Sequence, residues 1–165
     1  MLKPAVEARD PVRALRLARG LALLVPAGLL AGAYLSQYVG GLYPCEMCWW
    51  QRYPHVAAVL LGALAFMGPA ASGRARTMTA LAALAIAVSG AIGLFHAGVE
   101  YGWWQGLTHC TGGASSLEEL MKAPLVRCDQ AQWTLAGISL AGFNAIISLA
   151  GAAAVFVLLG KGRSR

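Results

Sequence analysis

Charge is what this chain most lacks. Charged residues fill 12% of its 165 positions, whereas a soluble domain carries about 25%. Apolar residues make up 58%. So little charge does not cover a water-facing surface, and lipid is the expected surroundings. Cysteine is scarce as well. Four cysteines are too few for a disulfide-stapled mini-protein, so their placement carries the information. A net charge of +6 raises nucleic acid as a partner. No basic stripe is interleaved with aromatics, so none is expected. The length suits one domain.

Lys, Arg, Asp and Glu are absent altogether from four long stretches, 20–42, 53–71, 77–99 and 135–160. Each is close to or above the roughly 20 residues that a helix needs to cross the hydrocarbon core. The expected fold is an all-α membrane protein, a single-domain bundle of four transmembrane helices. Ten of the 13 basic residues lie before the first stretch, between the second and third, or after the fourth. The positive-inside rule then places both termini in the cytoplasm. Loops 43–52 and 100–134 face outward, and all four cysteines lie in them. A signal peptide ending near Ala31-Gly32-Ala33 competes for the N-terminus. The apolar run continues past that point, and its removal would spoil the charge pattern.

Gly28 and Gly32 form a small-xxx-small pair suited to close helix packing. Pro26 is a candidate kink in the same helix. Trp49, Trp50, Trp103, Trp104 and Trp133 all fall at outer segment ends, as an interfacial aromatic belt does. Residues 115–121 read as a capped helical turn, with Ser115/Glu118 or Ser116/Glu119 as the capping box.

Pro44-Cys45-Glu46-Met47-Cys48 is a C-x-x-C motif at the start of the second apolar stretch. On a helix, positions i and i+3 bring both sulfurs to one face, close enough to bridge. A helix N-terminus stabilises a thiolate, and Cys48, nearer the helix, is the better candidate. Arg52 follows Cys48 by four residues, one turn further on that face if the helix is continuous. A guanidinium at the membrane interface is costly without an anionic partner. A thiolate or a reduced quinone oxygen supplies one. Alone, Arg52 reads as an interfacial anchor; beside C-x-x-C, function is favoured. Pro54 cannot donate to residue 50, so a helix beginning only at Tyr53 would weaken the shared face. Cys110 and Cys128 enclose 17 residues. They suit either a static disulfide or, given the flexible sequence Thr111-Gly112-Gly113, an exchangeable one. His55, His96, Glu100 and Asn144 are weaker signals, each equally suited to a packing hydrogen bond. No metal-ligand set stands out, since only one knuckle-like C-x-x-C is present.

The chain resembles the disulfide bond formation protein B (DsbB) family over nearly its whole length. The resemblance rests on four apolar spans and two outer cysteine pairs in this order. It rests also on Cys45-Glu-Met-Cys48-Trp-Trp-Gln-Arg52, and on Cys128-Asp129 followed by Trp133 and Leu135-Ala136-Gly137. It implies a quinone-dependent thiol oxidase of the bacterial inner membrane. The implied partner is a reduced DsbA-like thioredoxin-fold protein, whose thiolate attacks Cys110 and releases Cys128. Cys45 and Cys48 then reoxidise that pair, through a transient Cys45–Cys128 bridge. Cys48 passes two electrons to ubiquinone or menaquinone from the membrane pool, bound beside Arg52. A vitamin K epoxide reductase-like protein is the alternative enzyme, but there the loop cysteines precede the C-x-x-C. A cysteine-based metal-binding membrane protein is the alternative of another class.

Overall fold

A computed structural model describes residues 9–107 and 126–162. Cys110 and the capped turn expected at residues 115–121 lie outside the described residues. Four helices carry the fold: α1 (Arg9–Tyr38), α2 (Glu46–Ala65), α3 (Gly73–Glu100) and α4 (Leu140–Lys161). Two-residue strands β1 (Thr134–Leu135) and β2 (Ile138–Ser139) precede α4. Among the described residues, Pro11–Tyr38, Gly73–Glu100 and Leu140–Lys161 are long and apolar enough to cross a membrane. α2 is shorter and carries Glu46, Arg52 and His55.

Several element boundaries differ from those expected, for identifiable reasons. α1 begins at Arg9 rather than near residue 20. Its first turns are amphipathic, burying Ala14, Leu15 and Ala18 while Arg13 and Arg16 stay exposed, and uncharged runs do not detect such a helix. Most of the expected loop 43–52 is also helical. Cys45 is the N-cap of α2, its sulfur accepting the Cys48 amide at 3.3 Å, and Glu46 sits at the positive end of the helix dipole. α2 continues through Pro54. It ends at Ala65 rather than at residue 71, before Gly68-Pro69, which do not prolong a helix. Ser72 caps α3 by accepting the Ala75 amide at 3.2 Å.

The fourth stretch does not open as helix. Leu135 pairs with Ile138 across a two-residue turn. Ala136 and Gly137 both take positive φ, 51° and 78°, as a type I′ hairpin turn requires. Tyr101 at the end of α3 fastens this hairpin. Its hydroxyl donates to the Gly137 carbonyl at 3.0 Å and accepts the Ser139 amide at 3.1 Å. Ser139 then caps α4 by accepting the Gly142 amide.

The helices form a closed ring in which α1 packs on α2 and α4, and α3 packs on α2 and α4. Small residues dominate the interior: Ala18, Ala22, Ala58, Ala82, Ala83 and Ala152 surround Ile86 and Val155. Large apolar side chains such as Leu24, Leu60, Leu84, Ile146 and Phe156 point outward. That inversion suits lipid, where close helix approach rather than the hydrophobic effect drives packing. Gly62 crosses the α1 backbone at Ala22 and Leu23, and Gly93 faces Asn144 and the Ala141 carbonyl. Gly28 and Gly32 do not play this part. A Cβ on either meets nothing within 4 Å, because both face an open cavity. At the opposite end, the Arg19 guanidinium donates to the Ala65 and Gly68 carbonyls at 3.2 and 2.8 Å and lies over the Phe66 ring. It thereby neutralises the C-terminal pole of α2.

Candidate active site

Because α2 is helical from Glu46, Cys45 and Cys48 meet across its first turn, with their sulfurs 3.0 Å apart. Cys45 is buried in an apolar cluster with Met47, Val99 and Cys128. The segment that precedes β1 therefore brings Cys128 to the side of Cys45. Gln132 reinforces the approach by donating to the Tyr43 carbonyl at 2.6 Å. The hydrogen bond with Cys48 pushes the Cys45 thiol well above the ordinary thiol range, and burial adds to the effect. Of the two sulfurs, Cys45 therefore holds its proton the more tightly.

Cys48 opens onto a cavity of about 230 Å³, bounded by Gly28, Ala33, Arg52, His55, Phe143 and Asn144 among others. Arg52 is buried on the same face of α2, one turn below Cys48. Its guanidinium donates to Gln37 Oε1 at 2.6 Å and to the Ala33 carbonyl at 3.2 Å. It also lies over the Tyr34 and Trp49 rings, 4.9 and 4.8 Å from their centroids. Both hydrogen-bond acceptors are neutral. Neither acceptor cancels the cation, which shares the cavity wall with Cys48 and Glu100.

A buried polar chain runs behind the cysteines, and its components carry only faint signals in the sequence. His96 Nε2 stands 3.5 Å from Cys45 Sγ and 3.7 Å from Glu100 Oε1. The ring also hydrogen-bonds the Cys128 backbone. The Gln51 amide nitrogen donates to the Met47 carbonyl at 3.1 Å and meets His96 Nδ1 at 2.8 Å. Asn144 Nδ2 donates to Gln51 Oε1 at 2.8 Å and to the Ser89 carbonyl at 3.2 Å. Asn144 Oδ1 accepts from Ser148 at 2.9 Å and meets His55 Nε2 at 2.8 Å. Two backbone carbonyls, those of Met47 and Ser89, fix which way both amides point. His96 Nδ1 must then accept, so its ring proton sits on Nε2, toward the sulfurs.

That tautomer bears on metal binding. The donor atoms of Cys45, Cys48 and His96 lie within 4.8 Å of one another. The nitrogen facing the sulfurs carries a proton, however, and the Gln51 donor opposes the reverse tautomer. A metal-ligating histidine needs the opposite polarity at its outer partner.

The expected tryptophan belt is partly repurposed. Trp104 folds back over Gly98, stacks on Phe95 and donates to the Phe95 carbonyl at 2.8 Å. Trp133 lines the cavity and packs on Phe143. Of the weak sequence signals, His55, His96, Glu100 and Asn144 all reach this region. Gln51 and Ser148, which complete the chain, give no sign in the sequence beyond being polar in apolar surroundings.

An apolar helical bundle with vicinal thiols at one end, a third cysteine beside them and a fixed cation next to them defines a class: membrane-embedded thiol–disulfide oxidoreductases. The comparisons narrow it. The profile of the family described as disulfide bond formation protein DsbB matches residues 15–158. A relative from Marinobacter nauticus, named disulfide bond formation protein B, is 32% identical over 156 residues, covering 85% of this chain and 89% of its own. This chain belongs to the DsbB family and is a disulfide oxidoreductase of disulfide bond formation. No solved structure matches it.

Proposed function

We propose that this chain reoxidises a periplasmic DsbA-like thioredoxin-fold protein by relaying two electrons through Cys110/Cys128 and Cys45/Cys48 to a membrane quinone. α2 completes a four-span bundle of the bacterial inner membrane with both termini cytoplasmic, which leaves both cysteine pairs outside. The observation that carries the reading is the position of the C-x-x-C pair. Cys45 packs against Cys128 on one side, and Cys48 opens onto the Arg52 cavity on the other.

The donor set suits a quinone. The cavity offers an apolar wall from α1 and α4, and the Arg52 guanidinium held by neutral acceptors, with Arg127 and Glu100 also in its lining. A bound quinone supplies a two-electron, two-proton acceptor. Cys110 receives the partner's thiolate, and Cys128, released, attacks Cys45. Cys48 is then the free thiolate, facing the cation that lowers the cost of negative charge at the cavity wall. His96 donates its Nε2 proton toward Cys45 and the Cys128 backbone, which keeps the two loops in register. The cysteine order favours this reading over a vitamin K epoxide reductase-like one. The His96 tautomer favours it over a metal site.

Trapping tests the relay. Cys128→Ser should hold the partner in a mixed disulfide on Cys110, and Cys110→Ser should hold none. Equal trapping by both refutes the assignment. Reporter fusions after Arg76 and after Ala114 should report opposite sides of the membrane. The same side for both overturns the topology and the relay with it.

A further inference from the structure

Among the described residues, His55 Nδ1 is one of three buried side-chain nitrogen or oxygen atoms without a hydrogen-bond partner. The residue is 3% exposed. A buried acceptor left unsatisfied is costly, and the surrounding chain enforces that cost. The Ser89 carbonyl holds the Asn144 amide nitrogen, so Asn144 Oδ1 faces His55 Nε2 at 2.8 Å. Ser148 directs its hydroxyl at the same oxygen. Nε2 must therefore carry the ring proton, and Nδ1 is left as a bare lone pair. His55 lines the cavity that holds Cys48 and Arg52. The three lie on one stripe of α2 at i, i+4 and i+7, and the helical rise spreads them over about 10 Å.

A fixed acceptor of this kind discriminates between redox states. An oxidised quinone ring presents carbonyl oxygens, which also only accept. The reduced ring presents hydroxyls, which donate. Resting on the quinone reading above, we infer that His55 Nδ1 is a product-side subsite that accepts a hydrogen bond from one hydroxyl of the reduced ring. The balance of the reaction supplies that donor. Over one turnover the partner's dithiol becomes a disulfide, releasing two electrons and two protons, and the ring oxygens take up two protons as hydroxyls. Preferential binding of the reduced form makes the bound quinone a stronger oxidant. A tenfold preference is worth about 30 mV for a two-electron couple, in the direction that draws electrons out of the thiols. Arg52 favours negative charge as it develops, whereas His55 recognises the neutral product.

Binding without turnover tests this. In a Cys45→Ser/Cys48→Ser parent, decylubiquinone and decylubiquinol remain in the form added. Their affinities are read by titration calorimetry and by quenching of tryptophan fluorescence, Trp133 being in the cavity wall. His55→Phe should weaken decylubiquinol about tenfold, which is one hydrogen bond of about 1.4 kcal/mol. Decylubiquinone binding should change less than twofold. His55→Gln, which keeps both an acceptor and a donor for Asn144, should restore most of the decylubiquinol affinity. Equal weakening of both probes by His55→Phe, or of neither, overturns the assignment, the latter pointing to ordered water at Nδ1. If the parent binds neither probe, the quinone reading falls and takes this inference with it. The parent also reports without a His55 variant: in ¹⁵N-histidine spectra, the one unprotonated ring nitrogen that decylubiquinol moves should stay in place with decylubiquinone. A shift with both probes, or with neither, counts against the inference.

Discussion

Replacing Arg52 by methionine separates its chemical role from a structural one. The guanidinium is buried, yet its hydrogen bonds go to the neutral Gln37 amide and the Ala33 carbonyl. Its charge is therefore available to the cavity. A unit negative charge developing about 5 Å away at an effective dielectric of about 20 is stabilised by about 3 kcal/mol. Removing that stabilisation should slow quinone reduction by about two orders of magnitude. Folding should also suffer, because the Gln37 and Ala33 oxygens lose their donor, so rates are compared per inserted protein. Arg52→Lys keeps the charge but not the fork that spans Gln37 and Ala33, so about tenfold slowing is expected. The assay follows loss of quinone absorbance in membranes at matched protein levels, with partner exchange at Cys110 measured alongside. Arg52→Met should leave that exchange intact. If it instead lowered only the amount of inserted protein and left quinone kinetics unchanged, Arg52 would be an anchor between α1 and α2, and the electrostatic argument would be refuted.

Other consequences follow from packing and protonation. A side chain at Gly32 meets open space in the cavity, so Gly32→Leu should weaken decylubiquinone binding about tenfold while the C-x-x-C pair still reacts with alkylating agents. Overpacking costs about 1–3 kcal/mol. At Gly93, an added Cβ would lie 2.8 Å from Asn144 Nδ2 and 3.0 Å from the Ala141 carbonyl. Gly93→Ala should therefore lower the thermal midpoint despite its better helix propensity, and an unchanged midpoint would mean that α3 and α4 are less closely packed. The Cys45 thiol is pushed up chiefly by its hydrogen bond with Cys48. Its thiolate is therefore suppressed in the reduced pair. In Cys48→Ala that cause is gone, and iodoacetamide should alkylate Cys45 at a distinctly lower pH than in the parent.

Much of this was legible in the sequence because membranes impose strong patterns. Uncharged runs marked where the helices lie, and the C-x-x-C spacing with Arg52 marked one face of α2. The ends of the helices were less legible. The start of α1 is amphipathic rather than uniformly apolar, and the start of α2 is capped by a cysteine sulfur, which ordinary capping patterns do not include. The hairpin at residues 134–139 depends on two consecutive positive φ angles, one of them at Ala136, where an alanine gives no hint. Gly28 and Gly32 showed the limit of motif reading, since the same small residues that permit helix contact here leave room for a cavity. The polar chain was hidden for another reason. Gln51, Ser89, Asn144 and Ser148 come from three helices, and only their assembly shows that two backbone carbonyls orient the amides and hence both histidines.

The central claim is that the C-x-x-C pair couples loop thiols to a membrane quinone, and its most direct measurement is stoichiometric. Reduced DsbA-like protein is mixed anaerobically with membranes containing this chain and a defined amount of ubiquinone or menaquinone. Dithiol loss and quinol formation are then followed together. The account predicts one quinol per dithiol oxidised, no oxidation once quinone is extracted, and no quinol formation in Cys48→Ser. Thiol oxidation that continued at the same rate without quinone, or quinol formation that survived loss of Cys48, would contradict it.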